Sequence, residues 1–396
     1  MHRAHAEMFV FLEKERLGLL CNRGMGIIMQ VLLTNQKNVT TDITSIIPDV
    51  QISGDLLGVS RTLNFSYVYS NIDSNILAVT VETGDLVQVF LNDKQLFYGH
   101  VFMIDKGTDS NTIDITCYDY GIYLKKNQHS YKFRNITPEA ATKKICSDFK
   151  IDIGNIASTG INISRNYFGE DLYSIIIGMF YQASLINGKK YLIRFTGKKL
   201  DVIEKGDSNT SQLLQSGYNL LTSNISESID NMINSVAIFN KNDELVHTNI
   251  KNDDDIRLYG LMQAYLKIDD SGTYNEKAKS MLKSVERKMS VTSFGNTECI
   301  TGNTVIVKEP VTKLYGLFYI DSDVHAWKNG IYTNKLVLNF QNIMDEKDIG
   351  EIVSSKSEYK SGYKLEYNWR DNITKSATSM HGNTYIIHGN KIISEY

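Results

Sequence analysis

The sequence predicts a β-rich α+β protein: two antiparallel β units, the first curling into a barrel, a helical insert, and a C-terminal β tail. Three observations carry that prediction. Apolar residues repeat with period two from Gly26 to about Lys126 and again from Ser235 to about Phe340. Between these stretches, from Thr137, the period switches to that of a helix. The chain also has only three prolines, Pro48, Pro138 and Pro310, so its strands are seldom interrupted.

In the first β unit, Leu63, Phe65, Tyr67 and Tyr69 alternate with Asn64, Ser66 and Val68. Val87, Val89 and Leu91 run into the turn residues Asn92 and Asp93, and Leu96 to Met103 return, which predicts a hairpin with a bulge or sharp bend at Gly99. Ile113, Ile115 and Cys117 face one side while Asp114 and Thr116 face the other, completing the sheet. Thr137 is then an N-cap with Pro138 at the first helical position, followed by the apolar set Ala141, Ile145, Cys146 and Phe149. A second helix buries Leu172, Ile175, Ile176, Met179, Phe180 and Ala183 on one broad face and ends at Gly188. Tyr191 to Phe195 and Leu200 to Glu204, joined across Gly197 and Lys198, predict a hairpin that returns to the first sheet. The first barrel therefore takes 29–130 with 190–220, and the helical insert takes 131–189.

The polar stretch Gly206 to Gly217 is the linker to a second β unit at 221–345. That unit carries one helix, for which Thr273 and Glu276 form a capping box and Ala278, Met281, Leu282, Val285 and Met289 the core stripe. In the tail, 346–396, Tyr363, Leu365, Tyr367 and Trp369 alternate with polar residues, and Tyr385 to Ile387 with Lys391 to Ile393 suit a hairpin. A lone strand or hairpin is marginal in water, so the tail is expected to dock on a partner, and removal of everything after Asn342 to leave the fold intact. Residues 1–28 precede the first clear strand, and with Met25 and Met29 both available their membership of the fold stays open.

Composition narrows the function. At 396 residues, two or three domains are expected, and 42% apolar with 22% charged residues is ordinary for a globular chain. A net charge of −3 offers no field for holding nucleic acid through its phosphates. Met8 to Leu12 is apolar but is followed at once by Glu13, Lys14, Glu15 and Arg16, so no secretory leader is read and synthesis in the cytoplasm is expected. No stretch reaches about 18 uninterrupted apolar residues, so no membrane insertion is expected. Cys21, Cys117, Cys146 and Cys299 are widely spaced and are read as reduced, buried fillers.

The sequence contains no phosphate loop, nucleophile elbow, zinc-protease helix or dinucleotide fingerprint; Gly188 with Lys189 lacks the upstream glycine of a phosphate loop. The most metal-like pattern is Asp321, Asp323 and His325, on one face of a strand. Alternate strand residues stand about 7 Å apart, too far for three of them to reach one ion without a bend, so a packing or hydrogen-bonding role is assigned. Asp253, Asp254 and Asp255 lack the glycine and closing glutamate of a calcium loop and read as a solvated turn. Glu170 and Asp171 complement a helix N-terminus, and His100, His129 and His247 are isolated. No catalytic, metal-binding or cofactor-binding residue is assigned, and no cofactor is expected.

The stretch GDLVQVFLNDKQLFYGHVFMIDKG from Gly84, continued by CYDYGIYLKKN from Cys117, resembles the first barrel of XkdQ- and YqbQ-type baseplate hub proteins, which are related to late control protein D of contractile phages. ITPEAATKKICSDFKIDIGNIASTGI (Ile136 to Ile161) is similar to the insert of that family. NMINSV (Asn231 to Val236), YGLMQAYL (Tyr259 to Leu266) and GLFYIDSDVHAWKNGIY (Gly316 to Tyr332) follow its second half in order. The resemblance covers about Met29 to Gln341 and departs at both ends. It implies two similar tail-tube-like barrels per chain and a homotrimer whose pseudo-sixfold ring joins a sixfold tail tube to a threefold central spike. It implies further baseplate proteins as partners and a place in a phage or a headless R-type bacteriocin (tailocin). Asp323, His325 and Trp327 carry over as structural positions, and no catalytic residue comes with them.

Two other classes compete. A peptidoglycan hydrolase would need a lytic domain, for which the roughly fifty residues beyond the second β unit are too few. A receptor- or carbohydrate-binding tail module would use some of the 23 tyrosines, but these are spread through strands, which favours packing.

Overall fold

Alternating burial decides the first sheet. Strands β1 (Met29–Thr34), β2 (Thr40–Asp42), β3 (Asp49–Asp55), β4 (Gly58–Val68), β5 (Leu86–Leu91), β6 (Lys94–Lys106) and β7 (Thr112–Asp119) turn Val31, Leu63, Phe65, Val87, Val89 and Ile115 inward. Each such side chain contributes roughly 1.5–3 kcal/mol by leaving water. All neighbours in the order β2-β1-β5-β6-β7-β4-β3 run antiparallel. Asn92 and Asp93 link β5 to β6 with φ of 45° and 66°, the left-handed turn whose twist matches the flanking strands. This is a computed structural model, and it describes residues 29–69, 77–108, 111–206, 212–268 and 274–352, with four further strands between 364 and 395.

Gly99 is not itself a bulge, although register shifts flank it at Val89/Phe90 and at Val101/Met103. It is required by close approach, because a Cβ there would lie 2.2 Å from the Tyr118 carbonyl oxygen.

The insert follows α1 (Gly121–Lys126) and comprises β8 (Gln128–Ile136), α2 (Pro138–Phe149), β9 (Ile153–Ile156), β10 (Ile163–Asp171), α3 (Leu172–Asn187), β11 (Tyr191–Thr196) and β12 (Lys199–Glu204). Both helices start where the caps place them: Thr137 Oγ1 accepts from Ala140 N at 3.3 Å, and Asp171 Oδ1 from Ser174 N at 2.9 Å. Gly188, at φ 73°, ends α3. The insert is nonetheless not simply helical. Its helices pack between two small sheets around a core that includes Ile145, Tyr167, Ile176, Phe180 and Tyr191. The β11–β12 hairpin, expected in the first sheet, pairs instead with β9, in parallel through β12. The reason lies in its inner face, where Tyr191, Ile193, Leu200 and Val202 complete the insert's core.

The second β unit holds β13 (Gln212–Gln215), β14 (Leu220–Ser228), β15 (Ser235–Phe239), β16 (Leu245–Lys251), α4 (Asp253–Tyr259), β17 (Gln263–Lys267), α5 (Tyr274–Met281), β18 (Glu286–Phe294), β19 (Thr304–Glu309), β20 (Leu314–Lys328) and β21 (Ile331–Asn339). β15, β16, β17 and α5 form a satellite around Val236, Ile238, Leu266 and Ala278. Two helices occur where one was expected. Asn252 Oδ1 accepts from the amides of Asp254 and Asp255, so the acidic run becomes the first turn of α4, where its charges suit the helix dipole. The other helix, α5, stops at Met281; Met289 of the expected stripe lies in β18, buried in the main core, and Thr273 of the expected capping box falls outside the described residues.

Two β cores are present, but they share one sheet. β20 is 15 residues long and is bulged between Ile320 and Ser322. Its first half pairs with β19, and its second half, Ser322–Lys328, pairs antiparallel with β3. The two β units thus join in a single 13-stranded sheet, and among the described residues no ring of strand pairing closes into a separate barrel. Trp327 and Tyr332 of the β20–β21 hairpin stack at 4.1 Å and sit in the first core, while Phe318, Ile320, Leu336 and Leu338 fill the second.

The chain after β21 returns to the insert instead of leaving at Gln341. Met344 is buried in the insert core, Ile349 packs on it, and β22 (Glu351–Ile352) pairs with β10. Arg165 fixes this strap, donating to Gly350 O at 2.9 Å and pairing with Asp348 at 3.2 Å. Beyond it, β23 (Lys364–Glu366), β24 (Lys375–Thr378), β25 (Thr384–His388) and β26 (Lys391–Glu395) form an antiparallel meander. The expected aromatic face at Tyr363, Tyr367 and Trp369, like residues 1–28, lies outside the described residues.

Candidate functional site

Where β3 meets β20, the joined sheet buries charge. Arg61 on β4 forks onto Asp323 on β20, Nη1 to Oδ1 at 3.0 Å and Nη2 to Oδ2 at 2.5 Å. Asp323 Oδ1 also accepts from Thr301 N at 2.7 Å and Thr301 Oγ1 at 2.6 Å. Burial alone would raise the Asp323 carboxyl, but Arg61, with His325, outweighs it and holds the group well below the usual carboxylate range. Gly54 makes room for the fork, since a Cβ there would lie 2.5 Å from Arg61 Nη1.

The neighbouring polar groups are oriented in series. Asn296 N donates to Asn334 Oδ1, which turns the Asn334 amide nitrogen toward His325 Nδ1 at 2.9 Å. The Tyr332 hydroxyl donates to the same Nδ1 at 2.6 Å. His325 therefore carries its proton on Nε2, which lies 3.2 Å from Asp323 Oδ2. This arrangement holds a charged pair and an imidazole in fixed places and presents no unengaged nucleophile.

Asp321, the first member of the expected triplet, goes elsewhere. The bulge before Ser322 separates it from Asp323, and it accepts from Lys205 Nζ at 2.7 Å and Asn339 Nδ2 at 2.9 Å. Lys205 is 2% exposed and also donates to Ile343 O at 2.9 Å, tying the insert, β20 and the strap together. Among the described residues no three His, Cys, Asp or Glu side chains gather as a metal site. His100 bridges Gly84 O and the Tyr120 hydroxyl, and His129 contacts Ser130 O at 2.8 Å. The side chain of His247 lies outside the described residues, as does Cys21. Cys117, Cys146 and Cys299 are buried thiols, and burial pushes Cys146 up to about 11 and Cys299 up to about 12.

Two surface features accompany this junction. A cleft of about 430 Å³ opens between the first sheet, the β11–β12 hairpin and the loop at 297–303. Asp119 lines it, and burial raises its carboxyl to about 6 against hydrogen bonds that include the Gly121 amide at 2.9 Å. Along β6, β7 and the start of α1, Tyr98, His100, Phe102, Tyr118, Tyr120 and Tyr123 form a chain of ring contacts with centroids 5.3–6.5 Å apart. Sequence reasoning passed over that cluster, although Tyr98, His100 and Phe102 stand at alternate positions and signal it.

The model of the family described as YQBQ-like matches residues 50–339. The Bacillus subtilis (strain 168) protein YqbQ is 26% identical over 286 residues, covering 70% of this chain and 86% of that protein. The phage-like element PBSX protein XkdQ of the same organism is 25% identical over 307 residues, covering 75% and 93%. Among solved structures, the 43 kDa tail protein of prophage MuSo2 from Shewanella oneidensis has a TM-score of 0.59 at 13% identity, covering 79% of this chain and 97% of its own. A tail protein from Neisseria meningitidis MC58 has a TM-score of 0.57 at 13% identity, covering 82% and 99%. The fold is shared with these tail proteins over nearly their whole length.

Proposed function

The chain belongs to the YQBQ-like family, and from that premise we propose that it is a structural, non-enzymatic hub of a phage-type contractile-tail baseplate. The observation that carries the reading is the extent of the likeness: 97% and 99% of two tail proteins, one of them from a prophage, are covered by this fold. In this reading the protein acts as a homotrimer. Two β cores per chain give six around a threefold axis, which suits a junction between a sixfold tail tube and a threefold spike. The Arg61–Asp323 junction fits such a part, because a symmetry adaptor needs its two β cores held at one fixed angle. The chain would be made in the bacterial cytoplasm and assembled into a phage or bacteriocin particle, with its C-terminal meander docking on a neighbouring baseplate protein. A strain deleted for this gene should yield no complete tails, and complementation should restore them. Normal tails lacking the chain would overturn the proposal.

The half-buried ring chain from Tyr98 to Tyr123, exposed at Phe102 and Tyr123, favours a second reading, a receptor- or carbohydrate-binding tail module, because aromatic faces stack on sugars. Glycan-array binding that is lost in Tyr120→Ala would support it over the adaptor role.

A further inference from the structure

The cleft between the first sheet and the insert has one cation without a partner. Arg194, on β11, lines both this cleft and a second cavity of about 370 Å³ that shares Asn303 with it. Its Nε is buried and has no hydrogen-bond partner, and among the described residues its guanidinium makes no ion pair. The acids nearby are already engaged. Asp201 accepts from Asn155 N at 2.6 Å and from Thr196 Oγ1 at 2.7 Å, and Glu298 pairs with Lys94. Arg61 is held by Asp323. A buried donor left without a partner is unfavourable, so the Nε edge of this half-buried guanidinium is set for an acceptor that the fold itself does not supply.

The surroundings define that acceptor. Apolar wall comes from Val59, Phe97, Leu192 and Ile300, and about 430 Å³ falls in the range of small-ligand sites. Asp55, Asp119 and Glu298 also line the cleft and oppose a multiply charged anion such as phosphate. One spare guanidinium, with its planar fork of donors, matches a single carboxylate. We propose that the cleft between the first sheet and the β11–β12 hairpin binds a monoanionic carboxylate with an apolar body, anchored by Arg194. Because the cleft lies between two separately cored units, an occupant would also fix their relative position. The same chemistry is offered by a free organic acid and by an acidic side chain beside an apolar residue in a polypeptide.

The test is thermal melting and ligand-observed NMR on the full chain with three probes: 3-phenylpropionate, its neutral analogue 3-phenylpropanol, and acetyl-Phe-Glu-amide. At matched ionic strength, a carboxylate probe should raise the melting temperature and the alcohol should not. Arg194→Gln should weaken carboxylate binding about tenfold or more, the size expected for a lost charge-assisted hydrogen bond. Binding of the free acid alone marks a small-molecule site; binding of the dipeptide, with or without the acid, marks a site open to a polypeptide carboxylate. If Arg194→Gln does not fold, Arg194→Lys, which keeps the charge but loses the fork, should still weaken binding. Binding of neither carboxylate, equal binding of the alcohol, or binding undiminished in the folded variant would overturn the proposal.

Discussion

Asp323 is fully buried and engaged by Arg61, Thr301 and the His325 imidazole, so it cannot be removed without stranding other polar groups. Asp323→Ala should cost about 3–5 kcal/mol in urea unfolding, because Arg61 is left without its counter-charge. Arg61→Met combined with Asp323→Leu should recover most of that loss, and a double variant as unstable as Asp323→Ala would show that the pair is not the unit that matters. Asp119 gives a pH-dependent prediction. Burial lifts its carboxyl to about 6 from the ordinary 3.8, so the folded state holds the proton more tightly than the unfolded chain does. Its contribution is therefore most favourable below about pH 4 and declines as pH rises to about 6, by roughly 3 kcal/mol in all. The stability of Asp119→Asn minus that of the native protein should accordingly increase across this window; a difference that stays flat would contradict the assignment. Asp323 and His325 were legible as structural positions, but Arg61 lies 262 residues away from Asp323, and no local pattern announces a pairing of that range.

Elements whose information is local were readable. The cap at Thr137, the helix start at Glu170 and Asp171, the stop at Gly188 and the Asn92–Asp93 turn each depend on a few adjacent residues, and the structure has all four. Elements whose partners are remote were not. The β11–β12 hairpin alternates as any hairpin does, and only the remaining space in the insert's core decides which sheet it joins. The strap at 343–352 carried no periodic signal, yet Met344 is 3% exposed and the Tyr173 hydroxyl donates to Asp345 at 2.8 Å. This reverses the expectation for truncation. Removal of everything after Asn342 should destabilise the insert by about 2–5 kcal/mol through loss of Met344 and the Arg165 contacts, whereas removal after Ile352 should leave the melting temperature nearly unchanged. Equal melting of the two truncated chains would show that the strap contributes nothing. Gly295 supplies an independent check on the stacked hairpin, because a Cβ there would lie 2.1 Å from the Tyr332 ring. Gly295→Ala should displace Tyr332 from Trp327 and cost about 1–3 kcal/mol, visible as a changed tryptophan fluorescence.

At the scale of the whole molecule, the β-rich character and the order of units could be read from the alternation of periods. The joining of both β units in one sheet could not be read, because it depends on a bulge that lets one strand, β20, serve two neighbours. That continuity links the two β cores through one shared strand, an arrangement that suits the adaptor reading. Peptidoglycan hydrolysis, the enzymatic competitor, would need a converging acid and nucleophile, and the carboxylates of Asp323 and Asp321 at the junction are instead committed to Arg61, Thr301 and Lys205. Purified protein should leave cell-wall substrate uncleared in a zymogram, and clearing would contradict the non-enzymatic assignment. The most direct test of the central claim is the number of copies of this chain in an intact particle, read from a cryo-EM reconstruction of the baseplate. The account predicts three copies around the tail axis at the end of the tube, and two, four or six copies would contradict it.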